Sequence, residues 1–347
     1  MTGQTTWSEL IAQPDSWAAL IARLDAGALA APVALGDFDE VLLLGSGTSY
    51  YLALAAADWL RRRESIAVRA VPSCEVVLDA HEVALAGKRR QLVIAFSRSG
   101  ESSELIMALK LLKAAGSVVL GISCVEGSSL IRLSDHPLYI AEGREEGMIM
   151  LRSFTSMLLT VQYMFGSAAD RAVLRGLAAA GQALLDGDAD ELRELARARA
   201  FDRFVFLASG PSYPIALEAS LKVQEMSIST SEAYHSLEYR HGPKATADAN
   251  TLLTLFTLSD VELGLSLARD MKALGVTLLV VGPGAERYEG IADMIVAAPA
   301  GVEEGAASVL SLLPLQIAAY ETAMRKGKNP DAPDNLSKVV ILESADG

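Results

Sequence analysis

The apolar run at 91–96 gives way to Ser97-Arg98-Ser99-Gly100-Glu101-Ser102-Ser103, and a helical pattern begins there. A helix start offers free backbone N–H donors and a partial positive charge. Ser97, Ser99 and Ser102 add neutral donors, and Arg98 can add a bidentate one. Gly100 permits a close backbone approach. Together these groups suit a phosphomonoester. Gly45-Ser46-Gly47-Thr48-Ser49 is a second loop of the same kind, after the run at 40–44. Tyr50 stands where a third glycine would complete a dinucleotide fingerprint, and no P-loop lysine follows. Alone it reads as an ordinary turn into a helix. Beside the serine cluster it gains force, because neighbouring strand ends can share one crevice.

Charged groups able to move a proton lie further along. Glu218, Lys222 and Glu225 recur at i, i+4 and i+7, on one face of a mostly apolar helix. Spacing alone also fits a solvated Glu–Lys pair, but this helix begins at a strand end, so its first turns border a crevice. His241 precedes Gly242-Pro243 and therefore belongs on a turn. Lys338 closes a Pro/Asn/Asp-rich loop at 326–338, and Val339 to Leu342 reads as a strand-like run.

The elements that must position these residues alternate. Residues 7–28 have the period of an amphipathic helix. Apolar runs follow at 40–44, 66–71, 91–96, 117–122 and 137–140, with helical patterns at 50–63, 102–115 and 152–166. The pattern restarts with runs at 203–208, 229–234, 251–257, 276–281 and 293–297 and helices at 213–227, 261–274 and 305–325. A helical stretch at 170–200 joins the halves. Continuous apolar strands between helices predict parallel sheets covered on both faces. Leu44 to Tyr50 matches Leu207 to Tyr213, each after a strand and opening a helix. The fold expected is α/β, two tandem doubly wound (flavodoxin-like) units of the same topology, in which ligands bind beyond the carboxyl ends of the strands. Residues 1–28 read as an N-terminal helix, 29–168 as a phosphate-binding unit and 169–347 as the unit with the catalytic helix, the His-Gly-Pro turn and the tail. In the second half Thr257-Leu258-Ser259-Asp260 stands where the serine cluster would be, and Asp260 would repel phosphate.

Composition narrows the classes. The 347 residues are 51% apolar, enough for a sizeable core, with 30 Lys and Arg against 43 Asp and Glu, a net charge of −13. So acidic a chain has no footprint for nucleic acid or anionic lipid. Cys74 and Cys124 read as two buried free thiols, and four scattered histidines make no zinc site, so neither metal nor cofactor is expected. The start lacks a signal-peptide pattern, and no apolar run approaches the roughly 18 residues of a membrane helix. The chain reads as cytoplasmic.

Ser-x-Ser-Gly-Glu-Ser after a strand, Lys-x-x-Glu on the second-half helix, His-Gly-Pro, and Asn-Leu-x-Lys-x-Val near the end occur here in order. This arrangement resembles tandem sugar isomerase (SIS) domains across nearly the whole chain. It is similar to the isomerase half of glucosamine-6-phosphate synthase and to the tagatose/galactosamine-6-phosphate isomerase-deaminase group. Thr6-Trp7-Ser8, Gln13-Pro14 with Trp17, Arg152-Ser153-Phe154-Thr155 and Arg240 to Lys244 resemble the latter more.

The resemblance implies a phosphosugar isomerase acting on a 6-phosphorylated hexose or hexosamine by proton transfer between C1 and C2. Either aldose–ketose isomerisation or isomerising deamination fits. By position, Ser49, Ser97, Arg98, Ser99 and Ser102 match the phosphate shell, and Gly47, Thr48 and Glu218 border the sugar. Glu225 matches the base, Lys222 a residue beside it, and Lys338 a lysine of the tail that folds over the sugar. His241 matches the ring-opening acid/base, which reaches in from the neighbouring subunit of a homodimer. Arg98 stands where the synthase has glutamine, and Met150 replaces a polar residue near the substrate. The synthase's glutaminase half is absent, and Thr2 stands where its nucleophilic cysteine would follow the initiator methionine, so glutamine-dependent amination is not expected. Two other readings remain open. One is a deglycase for fructosamine 6-phosphates. The other is a non-catalytic sugar-phosphate-binding regulator, although such regulators resemble a basic helix-turn-helix fused to one unit.

Overall fold

A computed structural model describes residues 2–29, 33–299 and 301–342. The first five apolar runs form β1 (Glu40–Gly45), β2 (Ala67–Pro72), β3 (Gln91–Ser97), β4 (Val118–Ser123) and β5 (His136–Tyr139). They pair in parallel in the order β2-β1-β3-β4-β5. Every residue of β1 and β3 is buried, which is why both read as unbroken rather than alternating apolar runs. The second set is β6 (Arg203–Ala208), β7 (Thr230–His235), β8 (Thr251–Phe256), β9 (Thr277–Gly282) and β10 (Met294–Ala297). Its order, β10-β9-β8-β6-β7, is that of the first sheet with β6 in the place of β1. The doubly wound α/β expectation holds for both sheets. In each, the chain steps from one central strand to either side, between β1 and β3 and between β6 and β8, and this switch point opens a crevice at the strand ends.

The helices are α1 (Gln4–Ile11), α2 (Gln13–Asp25), α3 (Thr48–Arg61), α4 (Ser73–Leu78), α5 (His81–Ala86), α6 (Ser103–Ala114), α7 (Ser129–Leu133), α8 (Arg152–Phe165), α9 (Ala168–Leu174), α10 (Leu177–Asp186), α11 (Asp188–Ala198), α12 (Tyr213–Ser227), α13 (Val261–Ala273) and α14 (Glu304–Arg325). The chain packs as two compact units. One holds the first sheet and comprises Asp15–Glu146, Met150–Ala172 and the tail from Ser337. Its core joins Leu42, Leu44, Val93 and Ala95 of the sheet to Leu105, Leu109 and Leu112 of α6. The indole of Trp17 in α2 donates to the Thr155 hydroxyl of α8 at 2.9 Å, linking two of the motifs noted in the sequence. The other unit holds the second sheet, with the chain up to Pro14, Gly147–Ile149 and Val173–Leu336. Val205, Leu207, Leu253, Leu255 and Val280 pack there against Leu267 and Met271 of α13.

Four local expectations are corrected. The single helix over 7–28 is two, α1 and α2, because Pro14 has no N–H to continue the ladder and suits a first turn instead. The stretch 170–200 breaks into α9, α10 and α11 around Gly176 and Gly187. Val339 to Leu342 joins no sheet; its backbone bonds the start of α6 instead. Cys124 is buried, and burial pushes its thiol up, but Cys74 is exposed because α4 buries the face of Ser73 and Val76. Among the described residues, no helix is long and apolar enough to cross a membrane.

Candidate active site

The serine loop at the end of β3 is shaped by its own side chains. Ser97 Oγ accepts the Gly100 N–H at 2.9 Å, and Ser99 Oγ accepts the Glu101 N–H at 3.2 Å. Gly100 has φ 70°, and a Cβ there would stand 2.1 Å from Ser128 Oγ. The turn therefore demands glycine on both conformational and steric grounds. Gly100→Ala is expected to destabilise this unit by about 2 kcal/mol or more, from the left-handed penalty and the overpacking together. Urea denaturation checks it, and a midpoint equal to wild type would remove the requirement.

Ser102 caps α6 without bonding any of its N–H groups through the side chain. In the second sheet the equivalent cap, Asp260, accepts the Leu263 N–H at 3.1 Å, so a carboxylate already occupies that helix start. The halves differ in the way their sequences suggest. At β1, Gly47 has φ 55°, and Thr48 and Ser49 are buried in the first turn of α3. A Cβ on Gly45 would fall 2.2 Å from the Ser49 carbonyl oxygen, so only glycine lets α3 start this close to its strand. Thus Gly47, Thr48 and Ser49 stand at the end of β1, and Ser97, Arg98, Ser99 and Ser102 at the end of β3, on the two sides of the first switch point.

Arg98 is 7% exposed, and its guanidinium faces inward. Nη1 lies 3.5 Å from the Glu145 carboxylate, and Nη2 donates to the Lys338 carbonyl at 3.2 Å. Lys338 Nζ donates in turn to the carbonyls of Glu145 and Glu146 at 3.1 and 2.9 Å. Lys338 therefore meets the serine loop through Arg98. A cavity of about 310 Å³, lined in part by Arg98, Ser99, Tyr139 and Lys338, opens beside them. Glu145 is the functional candidate that sequence reasoning missed. Within Arg144-Glu145-Glu146 it looks like part of a solvated charge run, and only its burial sets it apart.

In the unit of the second sheet, Glu218 and Lys222 are fully buried, with Nζ 3.3 Å from the Glu218 carboxylate. Lys222 also bonds the Glu225 carboxylate, which is 16% exposed. Burial works against the Lys222 charge, but the two carboxylates outweigh it and raise its pKa. Lys222 therefore stays an ammonium at neutral pH. The strand-end argument covers Glu218 but not Glu225. Glu225 lies in the last turn of α12, about 18 Å along the helix from its start at 1.5 Å per residue. His241 lies on an exposed turn after β7, and among the described residues its side chain has no hydrogen-bond or ion-pair partner. No group of three His, Cys, Asp or Glu among the described residues is placed to hold a metal ion.

Comparison with known proteins places these features in a family. The SIS domain profile matches residues 35–167 and 198–325, one segment over each sheet. The crystal structure of glucosamine-6-phosphate deaminase from Thermotoga maritima is similar over 98% of this chain and 100% of that one, at 30% identity and a TM-score of 0.82. The fold is shared with tagatose-6-phosphate ketose/aldose isomerase from Escherichia coli, at 23% identity and a TM-score of 0.86 over 99% and 98% of the two chains. Glutamine–fructose-6-phosphate aminotransferase (isomerizing) from Pyrobaculum aerophilum is 31% identical over 96% of this chain and 57% of its own length. The enzyme of the same name from Neisseria meningitidis is 33% identical over 88% and 52%. The chain thus spans about half the length of these curated relatives. With one matching segment on each of its two sheets, the chain belongs to the SIS domain family.

Proposed function

We propose that this chain is a phosphosugar isomerase acting on a 6-phosphorylated hexose or hexosamine by proton transfer between C1 and C2. The observation that carries the reading is the Glu218–Lys222–Glu225 triad, a buried ammonium between two carboxylates on one helix, in a chain whose other unit presents a hydroxyl-lined helix start. Aldose–ketose interconversion removes a weakly acidic C–H beside a carbonyl. It needs a carboxylate held at that carbon and a cation near the developing enediolate oxygen. Glu225 takes the base role and Lys222 the cation role, with Glu218 at the sugar. Ser49, Ser97, Arg98, Ser99 and Ser102 hold the phosphate, Gly47 and Thr48 border the sugar, and Lys338 closes over it. His241 opens the ring.

The similarity to a glucosamine-6-phosphate deaminase supports a second outcome at the same site. If C2 carries an amine, proton transfer from C2 to C1 gives a ketimine. Water then hydrolyses it to the ketone and ammonia. A turnover assay over hexose, hexosamine and fructosamine 6-phosphates, reading both sugar products and ammonia, tests the reading. Activity on the fructosamines alone would point to a deglycase. Tight binding without any turnover would make the protein a regulator.

The exposed position of His241, on a turn remote in sequence from the serine loop, supports a homodimer with shared sites. His241→Ala mixed with Glu225→Gln is expected to regain activity, because one site of the heterodimer then holds both native residues. Subunit exchange verified by mass spectrometry with no activity regained would refute the shared site.

A further inference from the structure

Glu145 connects three parts of the first-sheet unit. Its side chain is wholly buried, and its carboxylate accepts the N–H groups of Leu151 and Ser153 at 2.7 and 3.0 Å and the Ser153 hydroxyl at 2.7 Å. These bonds fix the start of α8. The same carboxylate faces Arg98, whose guanidinium holds the Lys338 carbonyl, while the main-chain carbonyl of Glu145 receives the Lys338 ammonium. Further along, the Ser103 N–H donates to the Val340 carbonyl at 3.2 Å, and the Leu342 N–H donates to Ser103 Oγ at 3.0 Å. The tail is thus tied to the serine loop at one end and to the α6 start at the other.

We propose that Glu145 is a positioning residue: acting through Arg98, it holds the tail so that Lys338 stands at the serine loop. A guanidinium as buried as that of Arg98 gains from a carboxylate beside it, and removing that carboxylate takes away a charge partner that holds its orientation. Arg98 then turns toward the adjoining cavity, and its bond to the tail carbonyl is lost. In this chain the arginine of the serine loop ties down the tail as well as facing the anion site. The catalytic consequence rests on the reading of Lys338 as a residue that closes over the sugar; the tail-holding role does not.

Hydrogen exchange by mass spectrometry on the full chain separates the two. Glu145→Gln is expected to speed exchange in the tail peptide around 337–342 by about tenfold or more. Arg98→Gln should do the same, and the double variant should be no faster than the faster single, since both remove one link. Arg98→Lys, which keeps a cation, should restore part of the protection. On a substrate found by the turnover panel, Glu145→Gln should lower kcat by roughly tenfold, more than it raises KM. A role confined to capping α8 would raise exchange at 151–155 and leave the tail as in wild type; that pattern, or a protected tail in Arg98→Gln, overturns the proposal. If Glu145→Gln does not fold, the two Arg98 variants decide, because they leave the α8 cap intact. If the wild-type protein turns over no phosphosugar, the isomerase reading fails, while the exchange result still decides what Glu145 does.

Discussion

Glu225→Gln lowers turnover by about a hundredfold or more while substrate binding is largely retained. The substitution keeps the shape and the acceptor oxygen but removes the basicity. Solvent-deuterium exchange into C1 or C2 reads the proton transfer itself, without the later steps. Glu225 is the one carboxylate of the α12 triad with partial exposure, at 16%, whereas Glu218 has none. A base that takes a proton from carbon must reach the ligand, and it must also be charged when the ligand arrives. The Lys222 ammonium bonds its carboxylate and fixes its place on the helix face. Two outcomes separate the candidates. If Glu225→Gln exchanges deuterium at the wild-type rate, Glu218 or His241 must carry the step, and the assignment fails. If exchange is lost while a thermal melt shows the variant folded, the loss belongs to chemistry and not to a broken ion pair.

Much of this was open to reading from residues alone, for definable physical reasons. Strands buried on both faces must be apolar throughout, so β1 and β3 announced themselves as Val41 to Leu44 and Leu92 to Phe96. The serine loop was legible because its chemistry is local: hydroxyls, a glycine with positive φ and a helix start within seven residues. The triad was half legible. Spacing placed its members on one face, but a charged face reads as solvated until packing shows Glu218 and Lys222 buried. Glu145 was not legible, since its local bonds to Leu151 and Ser153 read as an ordinary helix start, while Arg98 and Lys338 lie 47 residues upstream and 193 residues downstream and only the fold joins them. Arg98 shows the limit most clearly. Its position between two serines pointed to an anion, whereas its observed partners include a buried carboxylate and a tail carbonyl.

Lys222→Met is expected to cost about 3–5 kcal/mol of stability, the range for removing one partner of a buried ion pair. The methionine fills most of the volume but leaves the buried Glu218 carboxylate without the ammonium 3.3 Å away. Glu218→Leu combined with Lys222→Met should recover much of that loss, because an apolar pair of similar volume incurs no charge burial. Turnover should stay lost in both, which separates the chemical role of the ammonium from its structural one. The pH dependence gives an independent check. The folded-state pKa of Lys222 is raised because Glu218 and Glu225 outweigh the burial that opposes its charge. A group with a raised pKa contributes fully below its unfolded-state value, about 10.5 for lysine, and loses the contribution as pH rises through the folded value. The stability gap between wild type and Lys222→Met should therefore hold constant from pH 7 to about pH 10 and narrow above it. Urea denaturation across that range measures the gap. A gap that closes near neutrality would mean that Lys222 gives up its proton there, and the amine would then have to be counted among the candidate bases rather than as the cation beside the enediolate.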